Sequence, residues 1–356
     1  MTVNSEEEVV FSRRGAVGHI KLNRPHILNA LNYDMVIAIQ DMLEHCSKDP
    51  EVALILVQGA GDRAFCAGGD IRRLADSSRN EGIDYCRKFF SSEFRLNRTI
   101  FRYNKPYIAI LDGITMGGGV GLSVHGKYRI ATERTLFAMP ETGIGYFPDV
   151  GGSYFLPRCP GAIGMYLGLS GARLKSGDSL TAGVSTHYVP RNSLDVLIEA
   201  LEKISPGKAA FLEVETILSG FSMAFQDETL TKNRAAIDEC FSKDSLDQIL
   251  VSLDTYGDDW SRLTASKIRE KSPTSLRVTF RQLREGGSLD FEGCMVMELR
   301  LALRFMENHD FYEGVRAVVV EKDNQPLWRP SNISEVTGES VERYFLPLVD
   351  GDLDFN

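Results

Sequence analysis

Met139 to Gly152 reads MPETGIGYFPDVGG and places two carboxylates, Glu141 and Asp149, among Met, Ile, Tyr, Phe, Val, prolines and glycines. A solvated loop is more polar than this, and a plain core segment avoids acids. Two acids held close together in apolar surroundings repel when both are ionised. One pKa then rises, which suits acid–base work. The residues alone leave other roles open: Glu141 as a helix-start or salt-bridge acid, and Asp149 as the N-cap of a helix opening in VGGSYFLPR.

Two glycine clusters offer a second kind of chemistry. AFCAGGDI (64–71) follows an apolar strand and precedes a short helix, and GITMGGGVGLSVHG (113–126) also lies between strand and helix. Glycine lets backbone approach a ligand closely. Amides at a helix start are unpaired and favour a developing negative charge. One N–H from each loop, Gly69 and Gly118, makes a candidate oxyanion hole. The alternative is that these glycines only permit tight turns and close packing.

Neither cluster satisfies G-x-G-x-x-G, and the chain has no G-K-[ST] phosphate loop. Ser123 in GLSVH fails the last position of the G-x-S-x-G nucleophile elbow and reads as a packed helix residue, which disfavours a serine hydrolase. Cys66 reads as a small packed residue, Asp70 as the cap of the next short helix, and His125 as a packed histidine. The six cysteines are scattered without a C-x-x-C, and the six histidines form no H-E-x-x-H, so a disulfide framework and a zinc site are not expected.

The elements that must position these residues follow from periodicity. VVFSRRGAVGHIKLN reads as two strands turning at Arg14–Gly15, and YDMVIAIQDMLEHCSKD has apolar residues at helical spacing. VALILVQG and PYIAILDG are continuous apolar runs expected of buried strands, and KYRIATE is a further strand. A helix is expected between Glu81 and Asn104. The strand–helix alternation implies an α/β fold. After SPGKAAF the β signal fades, and helices are expected near 208–222, 227–243, 245–253, 259–271, 273–285 and 290–308. The boundary is placed after residue 205, giving regions 1–205 and 206–356.

The 356 residues are 43% hydrophobic and 25% charged, with net charge −9, which argues against a general nucleic-acid binder. No stretch approaches the ~18 apolar residues of a membrane span. The opening MTVNSEEEVV has neither a signal-peptide apolar region nor an Arg-rich presequence pattern.

Taken in order, HIKLNRPHILNALNYDM, AFCAGGDI, GITMGGGVGLS, FAMPETGIGYFPDVGGSYFLPR, LGLSGARLKSGDSLTAGVSTHYVP, SPTSLRVTFRQL and DFYEGVRAVVVEKDNQPLWRP resemble the crotonase (enoyl-CoA hydratase/isomerase) superfamily along nearly the whole chain. The resemblance implies a spiral of stacked ββα units followed by a mostly helical C-terminal region, with the extra length falling between about 206 and 270. It implies an acyl-CoA substrate and no cofactor beyond the CoA that the substrate carries. Gly69 and Gly118 match the family's two oxyanion donors. Where hydratases carry a catalytic glutamate after the second donor, this chain has Gly121; the second hydratase glutamate is matched by Glu141, and Asp149 is an additional acid.

That combination resembles the branch that hydrolyses hydroxyacyl-CoA thioesters. It implies Glu141 and Asp149 as catalytic acids and Glu93, in FFSSEFRLN, as a substrate-binding acid. The backbone of Cys66, Ala67, Gly68, Asp70 and Ile71 is implied to meet the adenine, and Arg24, Arg316 and Lys322 are candidates for phosphate contacts. Where the family often has Lys-Ala after NRP, His26 and Ile27 stand here. The pathway implied is a mitochondrial-matrix one, with any presequence already removed, and a homo-oligomer is compatible with it. Other crotonase reactions and a non-catalytic acyl-CoA-binding protein are the competing readings.

Overall fold

The computed structural model describes residues 7–207, 209–224 and 229–355. Its contacts divide it into two compact units. The first comprises the described residues of Met1–Gly69, Arg95–Phe137 and Leu174–Glu228, the second those of Asp70–Phe94, Ala138–Arg173 and Thr229–Asn356. The division is not the linear one expected after residue 205, which lies inside the first unit. The reason is packing: Ala210, Val214 and Leu218, beyond that boundary, bury into the same core as Leu54, Leu56, Ile108, Ile110 and Ile130.

In the first unit, β1 (Val9–Arg14) and β2 (Val17–Leu22) form the expected hairpin, followed by α1 (Tyr33–Lys48), whose N-cap Asn32 accepts from the Met35 amide. Strands β3 (Leu54–Gly59), β4 (Ala64–Cys66), β5 (Tyr107–Leu111), β6 (Ile114–Met116), β7 (Tyr128–Ala131), β8 (Leu136–Ala138) and β9 (His187–Tyr188) follow. One sheet has the order β1-β2-β3-β5-β7-β9, the other β4-β6-β8. Successive pairs β3β4, β5β6 and β7β8 each send one strand to each sheet, and β1β2 closes on α1. This is the repeating ββα pattern. From β2 onward the larger sheet is parallel, and β3 and β5 are almost wholly buried, which is why both read as unbroken apolar runs.

The helices between strands are α2 (Ile71–Glu81), α3 (Ile83–Phe101) and α4 (Gly118–Gly121). The helix start read at the second glycine cluster is there, but α4 is only four residues long. Further helices are α5 (Gly152–Phe155), α6 (Ile163–Ser170), α7 (Ser176–Thr181), α8 (Leu194–Leu201) and α9 (Ala210–Phe221).

The second unit is dominated by α10 (Thr229–Phe241), α11 (Leu246–Tyr256), α12 (Asp259–Arg269), α13 (Pro273–Gly286) and α14 (Phe291–Phe305), with α15 (His309–Val315) and α16 (Gly338–Phe345) after them. Their starts are local chemistry. The side chains of Ser245, Asp258, Ser272 and Asp290 each accept from the amide three residues on, and Pro273 takes the first turn of α13. Both α13 and α14 pack on α5, and α15 packs on the turn containing Glu141.

Candidate active site

Pro140 leads into a 3₁₀ turn, Glu141–Ile144, closed by Gly145 at φ +69°. The turn is fixed on three sides. Thr142 Oγ1 donates to the Leu169 carbonyl at 3.4 Å, the Thr142 carbonyl accepts from the Ser272 amide at 3.2 Å, and α15 lies against Gly145. Glu141 therefore heads a rigid turn. Its Oε2 is buried and has no hydrogen-bond partner among the described residues.

Four of the buried acids in this unit act on one another: Glu93 on α3, Glu141, Asp149 and Glu298 on α14 are 3%, 5%, 6% and 0% exposed. Isolated buried carboxylates are costly, so burial drives every one of them toward its protonated form. Burial first, and then the charge of Asp149, hold Glu141 well above the ordinary carboxyl range. Glu93 is raised in the same way, by burial and then by Asp149 and Glu298. Asp149 is pushed up to about 7 by burial, with the Tyr146 hydroxyl and its own amide pulling it back. Burial pushes Glu298 to about 8 against the pull of two backbone amides.

The walls are aromatic. The Tyr146 ring lies 6.0 Å from Phe90, 4.6 Å from Phe147, 5.5 Å from Phe305 and 5.7 Å from Phe311. Among the described residues the Tyr146 hydroxyl has no hydrogen-bond partner of ordinary geometry, although it lies near enough to Asp149 to favour the ionised carboxylate. Asp149 does not cap α5: Gly151 takes the N-cap position, and Asp149 contributes only its carbonyl to the Gly152 amide. With the capping alternative gone, the carboxyl of Asp149 is left in a dry, acid-rich setting.

The glycine loops belong to the first unit. The Leu31 amide donates to the Gly68 carbonyl at 2.8 Å, and the Ala67 amide to the Leu28 carbonyl at 3.0 Å, which pins the first loop to the end of the β2–α1 connection. Gly68 has φ +119°, and a Cβ built on it would lie 3.8 Å from the Gly118 nitrogen, so the two loops are neighbours. Gly119 is closer still: its Cβ would meet the Cys66 carbonyl at 2.2 Å. Neither the Gly69 nor the Gly118 N–H is used in a turn, loop or cap hydrogen bond among the described residues. Two such amides on neighbouring loops are the kind of donors that can stabilise an oxyanion.

The other sequence-derived residues fall into place plainly. Cys66 and Gly68 are buried and Ala67 half-buried. Asp70 caps α2 through the Arg73 amide, and Ile71 is the first residue of that helix. Ser123 is packed, donating to the Gly119 and Val120 carbonyls. Two of the phosphate candidates already have acidic partners. Arg24 pairs with Glu8 at 2.9 Å, and Arg316 holds Glu313, Glu321 and Asp323. Sequence reasoning misses Glu298, Gln282 and Tyr146. Glu298 had a signal: in FEGCMVMELRLALRF it falls on the buried helical stripe with Met295, Leu299, Leu301 and Ala302, where an acid is out of place.

The chain belongs to the enoyl-CoA hydratase/isomerase family, whose profile matches residues 17–345. It is similar to the mitochondrial 3-hydroxyisobutyryl-CoA hydrolase of Rattus norvegicus, 45% identical over 353 residues that cover 98% of this chain and 91% of that protein. The Homo sapiens protein of the same name is 43% identical over 99% of this chain and 92% of its own length. Among solved structures, a carnitinyl-CoA dehydratase from Mycobacterium thermoresistibile superposes with TM-score 0.90 at 36% identity, over 97% of this chain and 98% of that one. An enoyl-CoA hydratase from Rhodobacter sphaeroides gives TM-score 0.89 at 34% identity, over 98% and 100%. The expected α/β crotonase fold with its helical C-terminal region is thus the fold of this chain.

Proposed function

We propose that this protein hydrolyses the thioester of 3-hydroxyisobutyryl-CoA to 3-hydroxyisobutyrate and CoA, a step of valine breakdown, and that it acts on 3-hydroxypropionyl-CoA as well. One observation carries the choice of hydrolysis over hydration. The acid position after the second glycine loop is Gly121, whereas Glu141 and Asp149 are buried together and electrostatically linked. A hydratase that adds water with two carboxylates lacks one of them here, and the chain supplies a different pair. The curated hydrolases it matches over nearly their whole length support the same choice.

In this reading the Gly69 and Gly118 amides hold the thioester oxygen as it becomes anionic, a contribution of about 3 kcal/mol per donor. Burial, and then the charge of Asp149, keep a proton on Glu141. Transfer of that proton to Asp149 frees Glu141 to attack the carbonyl carbon or to take a proton from water. Asp149 then protonates the departing CoA sulfur. Glu93 accepts a hydrogen bond from the substrate's 3-hydroxyl. No cofactor is needed beyond the CoA of the substrate, and the site of action is the mitochondrial matrix, in keeping with the names of the relatives.

The test is release of free thiol, followed with a colorimetric reagent, from 3-hydroxyisobutyryl-CoA and from crotonyl-CoA. Thiol release from the first and no hydration of the second is the expected result; no thiol from any acyl-CoA would remove the proposal. A single turnover in heavy-oxygen water separates the two routes. Label in the Glu141 carboxyl, or an acyl-enzyme trapped with a slow substrate, marks a mixed anhydride; label only in the product acid together with no trapped species marks water activation.

A further inference from the structure

Glu298 is the most deeply buried acid of the cluster, and the proposed mechanism does not use it. Its Oε2 accepts from the Gly151 amide at 2.8 Å and its Oε1 from the Ser153 amide at 2.9 Å. From the neighbouring helix, Gln282 Nε2 donates to the Pro148 carbonyl at 2.6 Å and to Ser153 Oγ at 2.8 Å. These bonds bracket Asp149, one on the residue before it and the others just after. The bracketed backbone is unusual. Val150 sits at φ +50° and Gly151 at φ +89°, so a β-branched residue occupies the left-handed region. Such a conformation is strained for a β-branched residue and persists only when its surroundings over-determine it. The scaffold is close-packed: a Cβ on Gly286 of α13 would lie 2.1 Å from the Ser153 carbonyl.

From this geometry we infer that Glu298, with Gln282 opposite it, is a positioning residue that holds the strained 148–153 turn and thereby aims the Asp149 carboxyl. The inference rests on the proposed role of Asp149. A carboxyl suits this point because both of its oxygens can accept from an amide in either protonation state, whereas the carboxamide of Gln has one accepting oxygen and an NH₂ group that cannot accept. The simpler alternative is that Glu298 only anchors α5 in the fold. That role would lower stability but would leave turnover by the folded protein unchanged.

Glu298→Gln in the full chain separates the two. It keeps length and volume but turns an NH₂ group toward one amide donor. Well below the melting temperature, kcat on 3-hydroxyisobutyryl-CoA should fall at least ~10-fold with KM within about twofold, since misaimed groups cost turnover rather than binding. Amide hydrogen exchange in peptides covering 148–155 should quicken, while that of α11 and α12 stays as it was. If Glu298→Gln does not fold, Gln282→Ala is read the same way from the other side of the turn. A folded variant with kcat within about twofold overturns the inference even if exchange quickens. A loss of kcat with exchange unchanged overturns it too, because Glu298 would then act by a route other than the turn. Absence of thiol release by the unsubstituted protein would sink the proposed reaction alone; exchange across 148–155 would then decide whether Glu298 fixes the turn, with unchanged exchange counting against it.

Discussion

The charge of Asp149 raises the proton affinity of Glu141, although a 3₁₀ turn and Gly145 separate the two in the chain. Asp149 is itself pushed up to about 7 by burial. An acid poised there changes state within the working range of most enzymes. The pH profile of kcat should bend near 7, and Asp149→Asn should both lose that bend and lower kcat by ~10²-fold or more. A profile unchanged in the variant would take Asp149 out of the chemistry.

The same burial has a stability signature. Below about pH 4 the unfolded chain and the folded chain both hold their carboxyl protons. As pH rises toward 7 the unfolded chain releases them while folded Asp149 and Glu141 retain theirs. The unfolded state then binds fewer protons, so this cluster loses stability with rising pH. Each pKa unit corresponds to about 1.4 kcal/mol, which makes the Asp149 contribution several kcal/mol in order of magnitude. Asp149→Asn should therefore raise the melting temperature at pH 8 and leave it nearly unchanged at pH 4. Thermal scans across that range check it; equal shifts at both pH values would count against an ionising Asp149 as the cause.

If Glu93 pairs the substrate's 3-hydroxyl as proposed, it sets the selectivity. It is buried, and its Oε1 has no hydrogen-bond partner among the described residues, leaving room for the bond that a substrate hydroxyl would supply. A site built to pair a hydroxyl rejects the deoxy analogue strongly, by up to ~10⁴-fold. Glu93→Leu should reduce kcat/KM for 3-hydroxyisobutyryl-CoA by at least ~10²-fold while changing that for isobutyryl-CoA far less. Parallel losses on both substrates would show that Glu93 serves the chemistry or the fold instead.

What was legible in the chain, and what was not, follows from the range of the interactions involved. The six helices from α9 to α14 are readable because their caps and apolar stripes are local, as at Ser272–Pro273 and Asp290. Glu141 and Asp149 stand out because acids are rare in so apolar a run, and the glycine loops because they join strand to helix. Glu298 and Gln282 are not legible in the sequence because their bonds to the 148–153 turn exist only once α13 and α14 lie on α5, more than a hundred residues away in the chain. The interleaved units escaped for the same reason: α9 reads as one more C-terminal helix until its Val214 and Leu218 are seen in the sheet's core.

The close approach of the two glycine loops gives a prediction in the first unit. A Cβ on Gly119 would sit 2.2 Å from the Cys66 carbonyl and 2.9 Å from the Cys66 Cβ, both parts of the opposite loop's framework. Neither can swing away as a flexible side-chain end could. Gly119→Ala must push the loops apart and misalign the Gly118 amide relative to that of Gly69. A drop in kcat of ~10²-fold or more is expected, the size of losing one oxyanion donor. Unaltered turnover would remove the paired-amide role of these loops.

Gly145 offers the corresponding test for the turn that carries Glu141. Its φ is +69°, in the region where a side chain is strained, and a Cβ there would meet the Asp310 carbonyl at 2.1 Å. Asp310 cannot retreat. Its Oδ2 accepts from Ser272 Oγ at 2.6 Å and its Oδ1 from the Arg329 amide at 2.8 Å, and it is fully buried on α15. Ser272 in turn caps α13 and donates its amide to the Thr142 carbonyl, so turn, helix start and α15 form one closed set of bonds. Gly145→Ala must therefore break part of that set, at a cost of about 3 kcal/mol or more from strain and overpacking together. The expected outcome is a melting temperature lower by several degrees and a kcat reduced along with it, since Glu141 heads the displaced turn. A variant that keeps both values would mean that α15 gives way at Asp310 more readily than its hydrogen bonds imply.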